Sequence, residues 1–269
     1  MVQRIDIDKI LRGRNPGLYR LIPRFVLAYI KRIVHQEEVN EILTSYGEAY
    51  SGAAFAGKTL EHLGVGYRVE GAENFPPQGG RYIFASNHPL GGLDGLVLID
   101  LINKHYGMVK FVVNDLLMNL KPLEDVFVPV NKHGRQSAEY VRRIDELYKS
   151  EVQVLYFPAG LCSRRNKGVI SDPEWKKSFV SKAIKYERDV VPIYFDGRNS
   201  NFFYTLALIR KKLGVKANIE MFYLADELFK QRGAEFVIRI GKRISYSELM
   251  SIPASRRVNY VRNRTYEMK

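Results

Sequence analysis

The chain has 269 residues, enough for one large domain or for a helical arm plus one α/β domain, and its 46% hydrophobic and 26% charged residues exclude a disordered chain. A single cysteine, Cys162, excludes an intrachain disulfide and a cysteine-rich metal site and fits a reducing cytosol. The net charge of +13 gathers at the ends, +6 over residues 1–35 and +4 over 253–269, which points to a polyanionic partner: nucleic acid, anionic lipid or a small acidic protein.

Arg4, Asp6, Asp8, Lys9 and Arg12 stand where a secretory signal has its apolar core, so export is not expected. Over 18–34, Leu18, Leu21, Ile22, Phe25, Val26, Tyr29, Ile30, Ile33 and Val34 form one wide helical stripe. Arg20, Arg24, Lys31 and Arg32 lie off it, and Pro23 starts or kinks the helix. A basic amphipathic helix can lie among lipid headgroups or pack on its own domain, and the pattern leaves both open. The longest apolar run, 25–30, is far short of the roughly 18 to 20 residues that span a bilayer. A second helix is expected over 37–63, with Val39, Ile42, Leu43, Tyr46, Tyr50 and Ala53 on one face and Gly64 as its C-cap. The expected division is a helical, membrane-associating arm over 1–64 and an α/β domain over 65–269.

Beyond Gly64, short β-rich runs appear at 66–70, 81–86, 109–113, 126–130, 152–157, 190–195, 218–223 and 235–240. Helical patterns lie between them at 94–105, 135–149, 174–187 and 202–212. This alternation predicts a mixed, largely parallel sheet of about seven strands covered by helices, with active residues at strand ends.

The run Tyr82-Ile83-Phe84-Ala85-Ser86 reads as a buried strand that empties into Asn87-His88-Pro89-Leu90-Gly91-Gly92-Leu93-Asp94. An imidazole at a strand end can accept a hydroxyl proton near neutral pH, and a carboxylate can hold its ring and stabilise the cation. Gly91 and Gly92 let the chain bend so that Asp94 can return to His88. On the residues alone, His88 could instead cap a turn while Asp94 opens the next helix. Further along are Val126-Phe127-Val128-Pro129-Val130-Asn131-Lys132, with Arg135 three residues on, then Phe157-Pro158-Ala159-Gly160-Leu161-Cys162-Ser163, with Arg164, Arg165 and Lys167 following. The strand Val191-Pro192-Ile193 and the run Val237-Ile238-Arg239-Ile240-Gly241-Lys242-Arg243-Ile244 complete the series.

In this order, over roughly 66–245, these five features resemble the glycerolipid (lysophospholipid) acyltransferase superfamily. Several positions depart from its pattern. Five residues separate His88 from Asp94 where the family has four, Lys132 stands where Arg is usual, and Ala159 and Cys162 replace a glutamate and an arginine. Lys keeps the charge of Arg but loses its bidentate fork. The variants look most like a bacterial branch that includes hemolysin-named proteins and acyltransferases making ornithine- and glycine-type aminolipids.

The resemblance implies an O-acyltransferase that moves a fatty acyl group from a thioester of acyl carrier protein or coenzyme A to a lysolipid hydroxyl. His88 would be the base and Asp94 its orienting partner. Asn87, Gly91, Gly92, Lys132, Arg135, Gly160, Ser163, Arg164 and Arg165 would contact substrate, with amides near Gly91 or Gly160 as oxyanion donors. Cys162 could carry an acyl group, but direct transfer in the family makes it a pocket wall. No metal or cofactor is implied. The implied partners are a lipid surface and acyl carrier protein, and the implied location is the cytoplasmic face of the plasma membrane. A lipase would show Gly-x-Ser-x-Gly, which is absent. No zinc pattern or aromatic-basic signature supports a nucleic-acid binder. A catalytically inactive lipid-binding or scaffolding protein of the same fold is the remaining alternative.

Overall fold

The computed structural model describes residues 4–130, 138–215 and 217–269. Five helices lead the chain: α1 (Ile7–Arg14), α2 (Pro16–Leu21), α3 (Arg24–Ile33), α4 (Gln36–Tyr46) and α5 (Gly52–Leu63). Pro23 stands just before α3 at φ −60°, where its missing N–H costs nothing, so the 18–34 stripe is shared between two helices. The 37–63 stretch, expected as one helix, is also two. The N–H of Gly47 closes α4 on Leu43, and α5 restarts at Gly52. There φ is +55°, and a Cβ would come within 3.2 Å of Val126. Ile42 and Leu43 of α4 and Phe55 and Leu60 of α5 join the same apolar cluster as the sheet.

The sheet begins with β1 (Gly66–Glu70) and β2 (Tyr82–Ser86), followed by α6 (Leu93–Tyr106), β3 (Val109–Asn114), β4 (Phe127–Val130) and α7 (Ala138–Lys149). Next come β5 (Gln153–Tyr156), the hairpin strands β6 (Arg164–Asn166) and β7 (Val169–Ser171), α8 (Ser178–Lys185), β8 (Asp189–Asp196) and α9 (Asn201–Lys212). The chain closes with α10 (Leu224–Phe229), β9 (Glu235–Ile240), α11 (Tyr246–Ser251) and α12 (Arg257–Tyr266). Seven strands run in the order β1-β9-β8-β2-β5-β3-β4, and every neighbouring pair is parallel except β8–β9. The expected mixed, largely parallel sheet covered by helices is the one observed.

A further local expectation is corrected. Residues 218–223 do not form a strand: Ile219–Tyr223 is a 3-10 turn, because Glu220 is drawn into the interior by Arg164 and Arg210. The basic stretch after Ser163 is a hairpin, in which Lys167 at φ 46° and Gly168 at φ 82° form a two-residue turn with both φ positive.

Strand β2 lies mid-sheet between β5 and β8 and is buried throughout. Tyr82 and Phe84 face the cluster containing Phe55 and Leu98, while Ile83 and Ala85 face the one containing Ile144 and Phe179. Covered on both faces, such a strand reads as a continuous apolar run, and each large side chain it buries contributes roughly 1.5–3 kcal/mol. At the opposite end of this layer from the loops, the buried guanidinium of Arg188 donates to the carbonyls of Tyr148, Val152, Leu147 and Ser150. Burial lowers its pKa to about 10.

Candidate active site

The loops leaving β2 and β5 emerge at the C-terminal edge of the parallel strands, where α/β sheets place their sites. The first residue past β2 is Asn87. Its amide donates to the Phe195 carbonyl at 2.9 Å and accepts the Phe195 N–H at 2.7 Å. Asn87, expected on substrate, is therefore buried and occupied in fastening this loop to β8.

His88 and Asp94 meet. Nδ1 of His88 lies 2.8 Å from Oδ2 of Asp94, whose side chain is wholly buried at the start of α6. The same Oδ2 accepts the N–H groups of Leu90 at 2.9 Å and Gly91 at 3.3 Å, and Oδ1 accepts Gly95 N–H at 3.0 Å. These bonds show how the extra residue is accommodated: the chain turns back on Asp94 through Gly91, whose φ is +83°. A Cβ at Gly91 would fall 2.8 Å from Leu224. Burial pushes the Asp94 carboxyl up, but the His88 charge and hydrogen bond and the two loop amides outweigh it, so its pKa lies below the ordinary value. With Nδ1 facing a carboxylate, the imidazole keeps its proton there and leaves Nε2 as the acceptor. Nε2 has no hydrogen-bond partner among the described residues, and the side chain is 15% exposed.

The ring of His88 stacks on Phe157, centroids 4.1 Å apart and 16° from parallel. Its main chain is held on both sides: the N–H donates to Oδ1 of Asp172 at 3.1 Å, and the carbonyl accepts Ser163 N–H at 2.7 Å. Asp172 also accepts the Ser163 hydroxyl at 2.6 Å and the Trp175 indole N–H at 2.9 Å. Burial holds its carboxyl above the usual range despite these donors. Asp172 escaped the sequence reading because it lies 84 residues from His88 and belongs to no recognised motif; its only local signal was the Asp-Pro step that ends a strand.

The other expected residues divide by what already occupies them. Ser163 is buried between His88 and Asp172. Arg164 donates to the Cys162 carbonyl and sulfur and pairs at 3.1 Å with the wholly buried Glu220, a carboxylate it shares with Arg210. Arg165 donates to Asn201 and lies over the Tyr204 ring. The amides expected to meet an oxyanion are used within their own turns, Gly91 on Asp94 and Gly160 on the Phe157 carbonyl at 3.0 Å. Gly92 is the residue just before α6 and, having no side chain, makes no side-chain hydrogen bond that caps the helix. Cys162 is buried beside Gly91, and burial pushes its thiol up to about 11, far from a poised nucleophile. Lys132 and Arg135 lie outside the described residues. Ala159, where the family pattern has glutamate, is packed in the apolar cluster behind β2.

Among the described residues, no cluster of His, Cys, Asp or Glu could hold a metal ion, and no helix is long and apolar enough to cross a membrane. A family model described as "Acyltransferase" matches residues 9–269. A Bacteroides thetaiotaomicron protein named lyso-glycine lipid O-acyltransferase is 47% identical over 266 residues, covering 98% of this chain and 97% of that one. A Phocaeicola vulgatus protein of the same name is 48% identical over 243 residues, covering 90% and 86%. Among solved structures, the 1-acyl-sn-glycerophosphate acyltransferase PlsC of Thermotoga maritima is similar over 89% of this chain and 88% of that one, with a TM-score of 0.46 and 18% identity. Matched from α1 to its last residue, the chain belongs to the acyltransferase family and is an acyl-transferring enzyme.

Proposed function

We propose that this enzyme transfers a fatty acyl group from a thioester to the free hydroxyl of a lyso-aminolipid, of the glycine-lipid class for which its relatives are named. The observation that carries the reading is the imidazole of His88, braced through Nδ1 by a buried carboxylate and by Phe157, with Nε2 left over. Nε2 takes the proton of the lipid hydroxyl as its oxygen attacks the thioester carbonyl. The tetrahedral adduct collapses with loss of the thiolate, and the imidazolium returns the proton to sulfur, so the products are an ester and a free thiol. Asp94 stabilises the imidazolium in between. General-base assistance of this kind is worth roughly 10² to 10⁴ in rate.

The donor we favour is acyl carrier protein, whose acidic surface suits a chain of net charge +13. The place of reaction is the cytoplasmic surface of the membrane, where α3 lies among the headgroups. Purified enzyme offered carrier-protein and coenzyme A thioesters with lyso-glycine, lyso-ornithine and lysophosphatidic acceptors, read by mass spectrometry, tests the proposal. Diacyl glycine lipid is the expected product. Transfer to lysophosphatidate alone would overturn the acceptor, and transfer to none would overturn the reaction.

A further inference from the structure

The basic excess has a third location besides the two ends of the chain. Segments 9–36 and 197–219 carry 7 and 5 Lys or Arg, and neither contains an Asp or Glu. The same segments hold the most exposed large hydrophobic side chains among the described residues: Leu21 at 78%, Phe25 at 76% and Leu213 at 73%. Phe202, Ile209 and Phe222 extend the second patch. The two patches are joined, since the hydroxyls of Tyr29 in α3 and Tyr223 lie 2.6 Å apart and the Tyr223 ring meets Phe202 edge-on at 5.0 Å. Arg20, Arg24, Lys211 and Lys212 are exposed and have no carboxylate partner among the described residues.

Protruding aliphatic and aromatic side chains ringed by unpaired cations suit a fluid anionic surface, with hydrocarbon entering the acyl boundary and cations meeting headgroup phosphates. A folded acidic protein would satisfy the charge but would leave side chains that stand out this far without a cavity to enter. The surface also adjoins the catalytic turn, for Leu224, next to Tyr223, packs over Gly91. We propose that residues 201–215 and 217–222 form a second bilayer-seating element which, joined to α3 at the Tyr29–Tyr223 pair, sets the His88 loop at the surface of an anionic membrane. The inference rests on the lysolipid reading above, since it explains how such an acceptor is reached.

Full-length protein is tested for sedimentation with phosphatidylcholine vesicles, with and without phosphatidylglycerol. The wild type is compared with Leu213→Ser/Phe222→Ser and with Lys211→Ser/Lys212→Ser, all surface positions outside the catalytic loop. Either double variant should weaken partitioning onto the anionic vesicles by about tenfold or more. Both should retain acyl transfer to detergent-dispersed lysolipid, which shows that they fold, and lose transfer to lysolipid held in vesicles. Wild-type partitioning in both variants would overturn the inference, as would equal wild-type binding to neutral and anionic vesicles. Intact vesicle binding with slower use of carrier-protein thioester would overturn it too, by assigning the patch to the donor. Should no lysolipid be acylated in detergent, the proposed reaction fails while the sedimentation result still judges this surface.

Discussion

Replacing Asp94 by Asn tests the dyad at the atom that matters. Oδ2 of Asp94 takes three donors, His88 Nδ1–H and the N–H groups of Leu90 and Gly91, whereas Oδ1 takes only Gly95 N–H. An asparagine would place its oxygen at the three-donor position and set its NH₂ against Gly95, so the loop and the imidazole tautomer survive at the expense of one hydrogen bond. What is lost is the negative charge. Opposite charges with centres about 4 Å apart attract by about 4 kcal/mol at an effective dielectric constant near 20, and losing that from the imidazolium-like transition state slows the reaction about a thousandfold. The assay is steady-state acyl transfer at saturating donor, with near-ultraviolet circular dichroism to check packing. kcat should fall while KM for the lysolipid stays close to wild type, because the carboxylate is buried behind His88 and does not reach the acceptor. A variant within about fivefold of wild-type kcat, or one impaired only in KM, would refute the electrostatic role assigned to this carboxylate.

Asp172→Asn weakens the clamp on the His88 main chain without touching its ring, so kcat should drop about tenfold with KM unchanged; an unaltered kcat would show that Ser163 and Phe157 suffice. Cys162→Ser should keep activity within about twofold, and the native thiol, neutral below about 11, should resist iodoacetamide at about pH 8, labelling only as pH rises toward that value. Loss of transfer in the serine variant would restore the cysteine as a nucleophile. Arg188→Met strands several buried carbonyls, each worth roughly 1–3 kcal/mol, and should lower Tm by about 10 °C or more. A melting point within about 2 °C of wild type would mean that water replaces the guanidinium.

The central strands were legible because a strand buried on both faces must be apolar throughout, as in Tyr82–Ser86. The division of 37–63 into two helices was not, since the apolar face of Val39, Ile42, Leu43, Tyr46, Tyr50 and Ala53 runs through the break, which the Gly47 bond to Leu43 and the positive φ of Gly52 mark in the structure. Residues 218–223 misled for a related reason. Their alternation suits a strand, but the charge of Glu220 is claimed by two arginines that sequence cannot place. At the site, His88 and Asp94 stood out by spacing, yet whether the added residue kept them together depended on loop amides converging on one oxygen. Motif residues such as Asn87 and Ser163 were visible but not their tasks, because hydrogen-bond partners 108 and 9 residues away are tertiary facts.

Acyl transfer by His88→Ala beside the wild type tests the central claim most directly. With lyso-glycine lipid and an acyl thioester, ester formation should fall by about 10² to 10⁴, while lysolipid binding and the folded spectrum persist. Equal product from the two proteins would contradict the account, which gives the hydroxyl proton to His88.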